Sequence, residues 1–87
     1  MGIADELITR GWTQGTAEDE EGRLCLIGAA SRVSARNRTD VHDGWAALKN
    51  AIGVNSLGMV AAWNDAPERT YDEVLRAAKL ADEELGL

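Results

Sequence analysis

Leu24-Cys25-Leu26-Ile27-Gly28-Ala29-Ala30 is the stretch on which the fold class turns. It is apolar on every side, so periodicity alone does not separate a buried helix from a short buried strand. The residues beyond it favour a helix. Ala29, Ala30 and Val33 continue at helical spacing a stripe begun at Leu26, which places a helix within 23–35. Gly28 costs such a helix about 1 kcal/mol relative to alanine, and close approach of a neighbouring backbone would offset that loss. The alternative is a strand at 23–27 in a short hairpin near 12–27, which would make the chain α+β.

Upstream, Ile3, Leu7 and Ile8 share a face at helical spacing and Gly11 stands where a helix would end, predicting a helix over Ile3–Arg10. Trp12-Thr13-Gln14-Gly15 reads as a turn that folds the tryptophan back on that helix. Residues 16–22 read as an exposed loop, because Glu18-Asp19-Glu20-Glu21 is a run of four acids that repel one another and resist burial.

Downstream, 34–40 reads as a polar link. Asp40 can cap a helix in which Val41, Trp45, Leu48 and Ile52 repeat along one face, and Gly53 supplies its stop. Asn55 or Ser56 can cap a short helix carrying Leu57, Val60, Ala61 and Trp63, which Asn64-Asp65-Ala66-Pro67 is expected to break. Thr70-Tyr71-Asp72-Glu73 matches a capping box. Beyond it Val74, Ala78, Ala81 and Leu85 form one stripe, broadened by Leu75, with Gly86 at the end. Asp72 with Arg76 and Lys79 with Glu83 are spaced as i,i+4 ion pairs on the wet side. The expected fold is all-α: a compact bundle of four to five short helices in one domain over residues 1–87.

Composition narrows the setting. Of 87 residues 45% are apolar and 28% charged, ordinary values for a folded protein. A single cysteine allows no intrachain disulfide, which points to the cytoplasm rather than to a secreted scaffold. The acidic start Asp5-Glu6 lacks the basic, apolar pattern of a signal peptide, and the apolar run at 24–30 is too short to span a bilayer. The net charge of −6 argues against a nucleic-acid partner, since phosphates reward clustered Lys and Arg.

Little chemistry is offered. Cys25 and His42, the only thiol and the only imidazole, could make a cysteine hydrolase with Asp40 or Asp43 orienting the ring. An apolar neighbourhood, however, keeps a thiol protonated and inert. Asp40, His42 and Asp43 lack the further nitrogen or sulfur ligands of a zinc site, and capping accounts for the two acids. No catalytic, cofactor or metal residues are therefore expected. Arg32, Arg36 and Arg38 form the one basic cluster, able to hold an anion or to pair with the acidic loop. Trp12, Trp45 and Trp63 supply core volume in a chain without phenylalanine; one lying open beside those arginines would make a platform for a stacked base.

Trp12-Thr13-Gln14-Gly15, Cys25-Leu26-Ile27-Gly28-Ala29 and Ala62-Trp63-Asn64-Asp65-Ala66-Pro67-Glu68-Arg69-Thr70, in that order, cover most of the chain. In these motifs the chain resembles an uncharacterised family of short proteins, a domain of unknown function found in actinobacteria and their phages. The resemblance implies a mycobacterial or related phage source and carries over no activity and no catalytic residue. The motifs read mainly as architecture, with Trp12, Gln14, Asn64 and Asp65 as the residues that would matter if they formed an exposed cluster. Together with Arg32, Arg36 and Arg38 they make up the candidate ligand or partner surface. The expectation is a non-catalytic accessory protein, phage-encoded and acting in the host cytoplasm. It would bind a host or phage protein or associate with itself, as in a homodimer. Sequestration of a nucleotide or other small ligand is the alternative, and a cysteine hydrolase the distant one.

Overall fold

Five α-helices follow one another in the computed structural model, which describes residues 2–87. They are α1 (Ile3–Arg10), α2 (Leu26–Asn37), α3 (Val41–Ile52), α4 (Leu57–Asp65) and α5 (Tyr71–Glu84). Helix α1 packs on α2, α2 on α3, α3 on α5, and α5 back on α1, so these four close a ring. Helix α4 lies outside it, against α2 and α3. Ile3, Leu7, Leu24, Leu26, Leu48, Val60 and Val74 fill the interior and lose essentially all contact with water. Ala29, Ala30, Ala47, Ala78 and Ala81, equally buried, let the helices approach closely around them.

The fold is all-α, and the hairpin does not form. Leu24 makes two isolated bridges, with Trp12 and with Glu18, and no strand grows from either among the described residues. Leu24 N donates to Gly11 O at 2.9 Å and Thr13 N to Leu24 O at 3.0 Å, after which the chain turns helical at Leu26. Helix α2 starts at Leu26, two residues into the apolar run, and extends to Asn37, taking up about half of the expected polar link. Ser34 is consequently buried, at 5% exposure.

Three further expectations are corrected. Asn64 and Asp65 belong to α4 instead of breaking it; the helix stops at Ala66, before Pro67, where the ring would clash with a continuing turn. In α1 the inward face takes Glu6 rather than Ile8, which is 57% exposed, because Arg36 of α2 reaches Glu6 and neutralises it. The i,i+4 pairs expected at Asp72–Arg76 and Lys79–Glu83 are not formed, whereas Arg69 Nη1 meets Glu73 Oε2 at 3.0 Å. The capping box itself forms: Glu73 N donates to Thr70 Oγ1 at 3.2 Å and Thr70 N to Glu73 Oε1 at 2.9 Å.

Two helix starts are capped from far away in the chain. Ile3 N and Ala4 N donate to the Asp82 carboxylate, at 2.7 and 3.1 Å, from the opposite end of the sequence. A Cβ on Gly2 would stand 2.5 Å from that carboxylate, so only glycine lets it sit there. At α2, Leu26 N donates to Asn64 Oδ1 at 3.2 Å, Cys25 N to Ala17 O at 3.1 Å, and Gly28 N to Cys25 Sγ at 3.4 Å. The close backbone approach expected at Gly28 is that of Ala17: a Cβ there would lie 2.2 Å from the Ala17 carbonyl oxygen.

Candidate functional site

Trp12, Gln14, Asn64 and Asp65 come together in one network. Asn64 is wholly buried at its centre. Its Oδ1 accepts from Trp12 Nε1 at 2.9 Å as well as from Leu26 N, and its Nδ2 donates to Thr13 O at 3.2 Å and Asp65 Oδ1 at 2.9 Å. Gln14 Nε2 donates to the carbonyls of Asn64 and Ala66, at 3.0 and 2.9 Å, and Gly15 N to Asp65 Oδ1 at 2.9 Å. Every amide hydrogen of Asn64 and the Trp12 indole N–H is thus engaged inside the chain. The network ties the 12–15 turn to the end of α4 and the start of α2, and it presents no free donor to a ligand. Tyr71 stacks on Trp12 at 6.4 Å between ring centres.

The three arginines stand apart from that network and from one another's tasks. Arg32 and Arg36 lie one turn apart on α2. Arg32 pairs with Glu18 of the acidic loop, its Nε 3.2 Å from Oε1. Arg36 pairs with the buried Glu6, which Arg10 approaches at 3.6 Å. Arg38 ends α2 in the left-handed conformation, at φ 56°. No tryptophan stacks against any of them; the cation over an indole is Arg69, 3.8 Å above the Trp63 ring centre. Arg69 also donates from Nε to Trp63 O at 2.7 Å, so it locks the 63–70 corner. An anion would have to displace a carboxylate from Arg32 or Arg36.

The acidic loop is more ordered than a repelling run suggests. The Asp19 carboxylate accepts from Glu21 N, Arg23 N and Arg23 Nε, at 3.0, 2.9 and 2.6 Å. Desolvation raises the Asp19 carboxyl, but these donors outweigh it and hold the group below the usual carboxylate range.

Cys25 and His42 are not assembled. Cys25 precedes the first residue of α2, while His42 follows its far end, and the 12-residue helix between them is about 18 Å long. The thiol is 7% exposed, and burial pushes its pKa up. His42 is open to solvent and bonded to Asp40, Nδ1 to Oδ1 at 2.9 Å. Its backbone N–H also donates to Asp40, and this bond above all lowers the Asp40 carboxyl. Among the described residues no three His, Cys, Asp or Glu side chains gather as a metal site.

Residues that the sequence reading passed over are Glu6, Ala17, Arg69 and Asp82. Glu6 carried a signal, a carboxylate between Ile3 and Leu7 on the inward face. Arg69 carried one too, standing four residues before Glu73; Ala17 acts through its main-chain carbonyl and Asp82 through a helix start at the far end of the sequence, which no residue type betrays.

One surface is short of partners. Of the nine residues of α4 only Val60 and Asn64 are buried. Gly58, Met59 and Ala62 point outward, Met59 at 51% exposure, and no charge stands on α4 before Asp65 at its end. A surface helix ordinarily carries charged residues on its outer face; one apolar all round belongs in an interior or an interface.

Residues 2–84 match the model of a family of unknown function, DUF6197, and the chain belongs to this family. No curated protein and no solved structure matches it. No helix among the described residues is long and apolar enough to cross a membrane.

Proposed function

We propose that this DUF6197 protein is a non-catalytic accessory protein that acts by binding another protein or a second copy of itself through the outer face of α4. The observation that carries the reading is the uncharged face of Gly58, Met59 and Ala62 on a helix that buries only two side chains in its own fold. The setting that accords with the motifs and with the lone thiol is the cytoplasm of an actinobacterial host, with the protein encoded by the cell or its phage. Two observations support a role without catalysis: Cys25 is sealed and remote from His42, and Arg32 and Arg36 of the basic cluster are engaged by Glu18 and Glu6.

Mass in solution, by light scattering coupled to size exclusion, tests this reading together with capture from a host lysate. The expected result is a stable oligomer or a specific co-purifying protein, lost in Met59→Glu while the helical circular dichroism is retained. A chain that stays monomeric at high concentration and captures nothing overturns it.

A further inference from the structure

A shallow groove of about 180 Å³ runs between α4 and α5, on the flank of α4 that carries Trp63. Ala51 and the buried Ala77 make its floor, Trp63 and Leu80 its walls, and Glu73 and Arg76 are the only charges beside it. Arg69 covers one face of the Trp63 ring at 3.8 Å, and the groove opens on the remainder. Met59 stands one turn before Trp63 and shares its flank. Met59 at 51% exposure and Leu80 at 47% therefore border one apolar surface that crosses from α4 onto α5.

Charge selects the occupant of that surface. Residues 50–64 contain no charged side chain, in a chain whose net charge is −6. Two copies repel each other wherever acid meets acid, and that repulsion is least on this face. A neutral face gives a charged partner nothing to pair with, whereas it matches itself. Its two ends differ in sign. Lys49 precedes it in the last turn of α3, while Asp65 and Glu68 follow it. None of these three enters an ion pair among the described residues. A second copy turned end for end sets its two acids against Lys49 and its lysine against Asp65 and Glu68.

Helix geometry gives the register. Met59 and Trp63, four residues apart, differ in height along α4 by about 6 Å. A twofold axis across the helix at the level of Ala61 exchanges those two heights. Each methionine then meets the indole and the Leu80 wall of the other copy, a favourable pairing of sulfur with an aromatic ring. We infer that the occupant of the α4 face is a second copy of this chain, antiparallel, with Met59 of each copy seated in the α4–α5 groove of the other. The inference rests on the reading of α4 as a binding face and adds its partner. Fewer residues take part than the roughly 20–30 a side of a standard interface, so the dimer is a reversible one.

Sedimentation equilibrium of the full chain, from about 10 µM to about 1 mM, is the test. The mass is expected to rise with concentration from one chain toward two. Leu80→Glu, at an exposed position outside α4, is expected to weaken association at least tenfold with the helical circular dichroism unchanged. Lys49→Glu is expected to weaken it several-fold and Glu68→Lys, added to it, to restore it, as only end-for-end pairing allows. Ala62, one residue from the axis, lies opposite its own copy within the roughly 4.4–6.8 Å between Cα atoms that a disulfide spans. Ala62→Cys is thus expected to link two chains under mild oxidation and Ala35→Cys, exposed on α2, to stay single. A chain that remains monomeric throughout, association indifferent to Leu80→Glu or to Lys49→Glu, or equal linkage at positions 62 and 35 would each overturn the pairing. A monomer that instead captures a different protein, released by Met59→Glu, overturns this inference and leaves the α4 reading standing.

Discussion

Two glycines inside helices, Gly28 in α2 and Gly44 in α3, should respond to the same substitution with opposite signs. Both are buried, and neither has a positive φ, so alanine gains helix propensity at each, up to about 1 kcal/mol. What differs is the space. At Gly44 the new methyl would stand 3.5 Å from Ala30 Cβ and 3.5 Å from Ser34 Oγ, ordinary contact distances that nothing must move to accommodate. At Gly28 it would lie 2.2 Å from Ala17 O, a backbone atom held by its bond from Cys25 N at 3.1 Å. The 17–18 segment must retreat by an ångström or more. Overpacking of this kind costs about 1–3 kcal/mol, and breaking the Cys25–Ala17 bond adds about 1 kcal/mol. After the propensity gain, Gly28→Ala is expected to destabilise by about 1–3 kcal/mol and Gly44→Ala to stabilise by about 0.5–1 kcal/mol. In a chain of this size that is a fall in the thermal midpoint of roughly 5–20 °C for the first and a rise of about 3–6 °C for the second. Thermal unfolding followed by far-ultraviolet circular dichroism reads both. Shifts of the same sign at the two positions would refute the reasoning, because propensity rather than space would then be in control.

Asn64→Asp replaces an amide that donates to Thr13 O and Asp65 Oδ1 with an oxygen, at a wholly buried position. Burial and the neighbouring carboxylate raise the folded-state pKa of the new acid above its unfolded value of about 4. The variant should therefore match the parent most closely below about pH 4 and lose stability as pH rises through that folded value, by about 2–4 kcal/mol at neutrality. Urea unfolding across pH checks this, and a constant deficit counts against it. In the parent chain the carboxyls of Asp19, Asp40 and Glu73 are all lowered in the folded state. Their contribution is full above the unfolded carboxylate range and is lost as pH falls through their folded values, so stability should decline below about pH 4; Glu73→Gln should flatten part of that decline, and an unchanged profile would exclude its share. Cys25, buried and with its thiol pushed toward the protonated form, should react with iodoacetamide far more slowly in the native protein than in urea. Equal rates would place the thiol on the surface.

How far the sequence alone reached depends on how local each cause is. Asp40, Ser56 and Thr70 each satisfy a backbone N–H two or three residues ahead, so the starts of α3, α4 and α5 could be read directly. Gly53 ends α3 in the left-handed conformation for an equally local reason. Helix α2 has no side chain of that kind except a thiol, a weak acceptor, and its start was accordingly ambiguous. The apolar stretch from Leu24 to Ala30 reads as helix only once Asn64, 38 positions beyond Leu26, and the carbonyl of Ala17 have taken its orphan N–H groups. Asn64 misled for the same reason. By itself it is a turn former, yet inside the fold it is a buried hub that α4 must include.

The candidate surface divides along the same line. That Trp12, Gln14, Asn64 and Asp65 belong together was visible as a pattern of motifs, whereas the direction of their hydrogen bonds, inward, was not. The pairing of Arg32 with Glu18 and of Arg36 with Glu6 required the approach of α1 and the 16–22 loop to α2. Residue type and spacing along the chain thus determined that this protein is helical, where most of its helices begin and end, and which faces carry apolar side chains. Only the tertiary structure decided which polar groups are used up and which surfaces remain, the outer face of α4 among them. The physical reason is that a hydrogen bond or ion pair between groups tens of residues apart leaves no periodicity in the sequence and exists only when the backbone has brought its partners within about 3 Å.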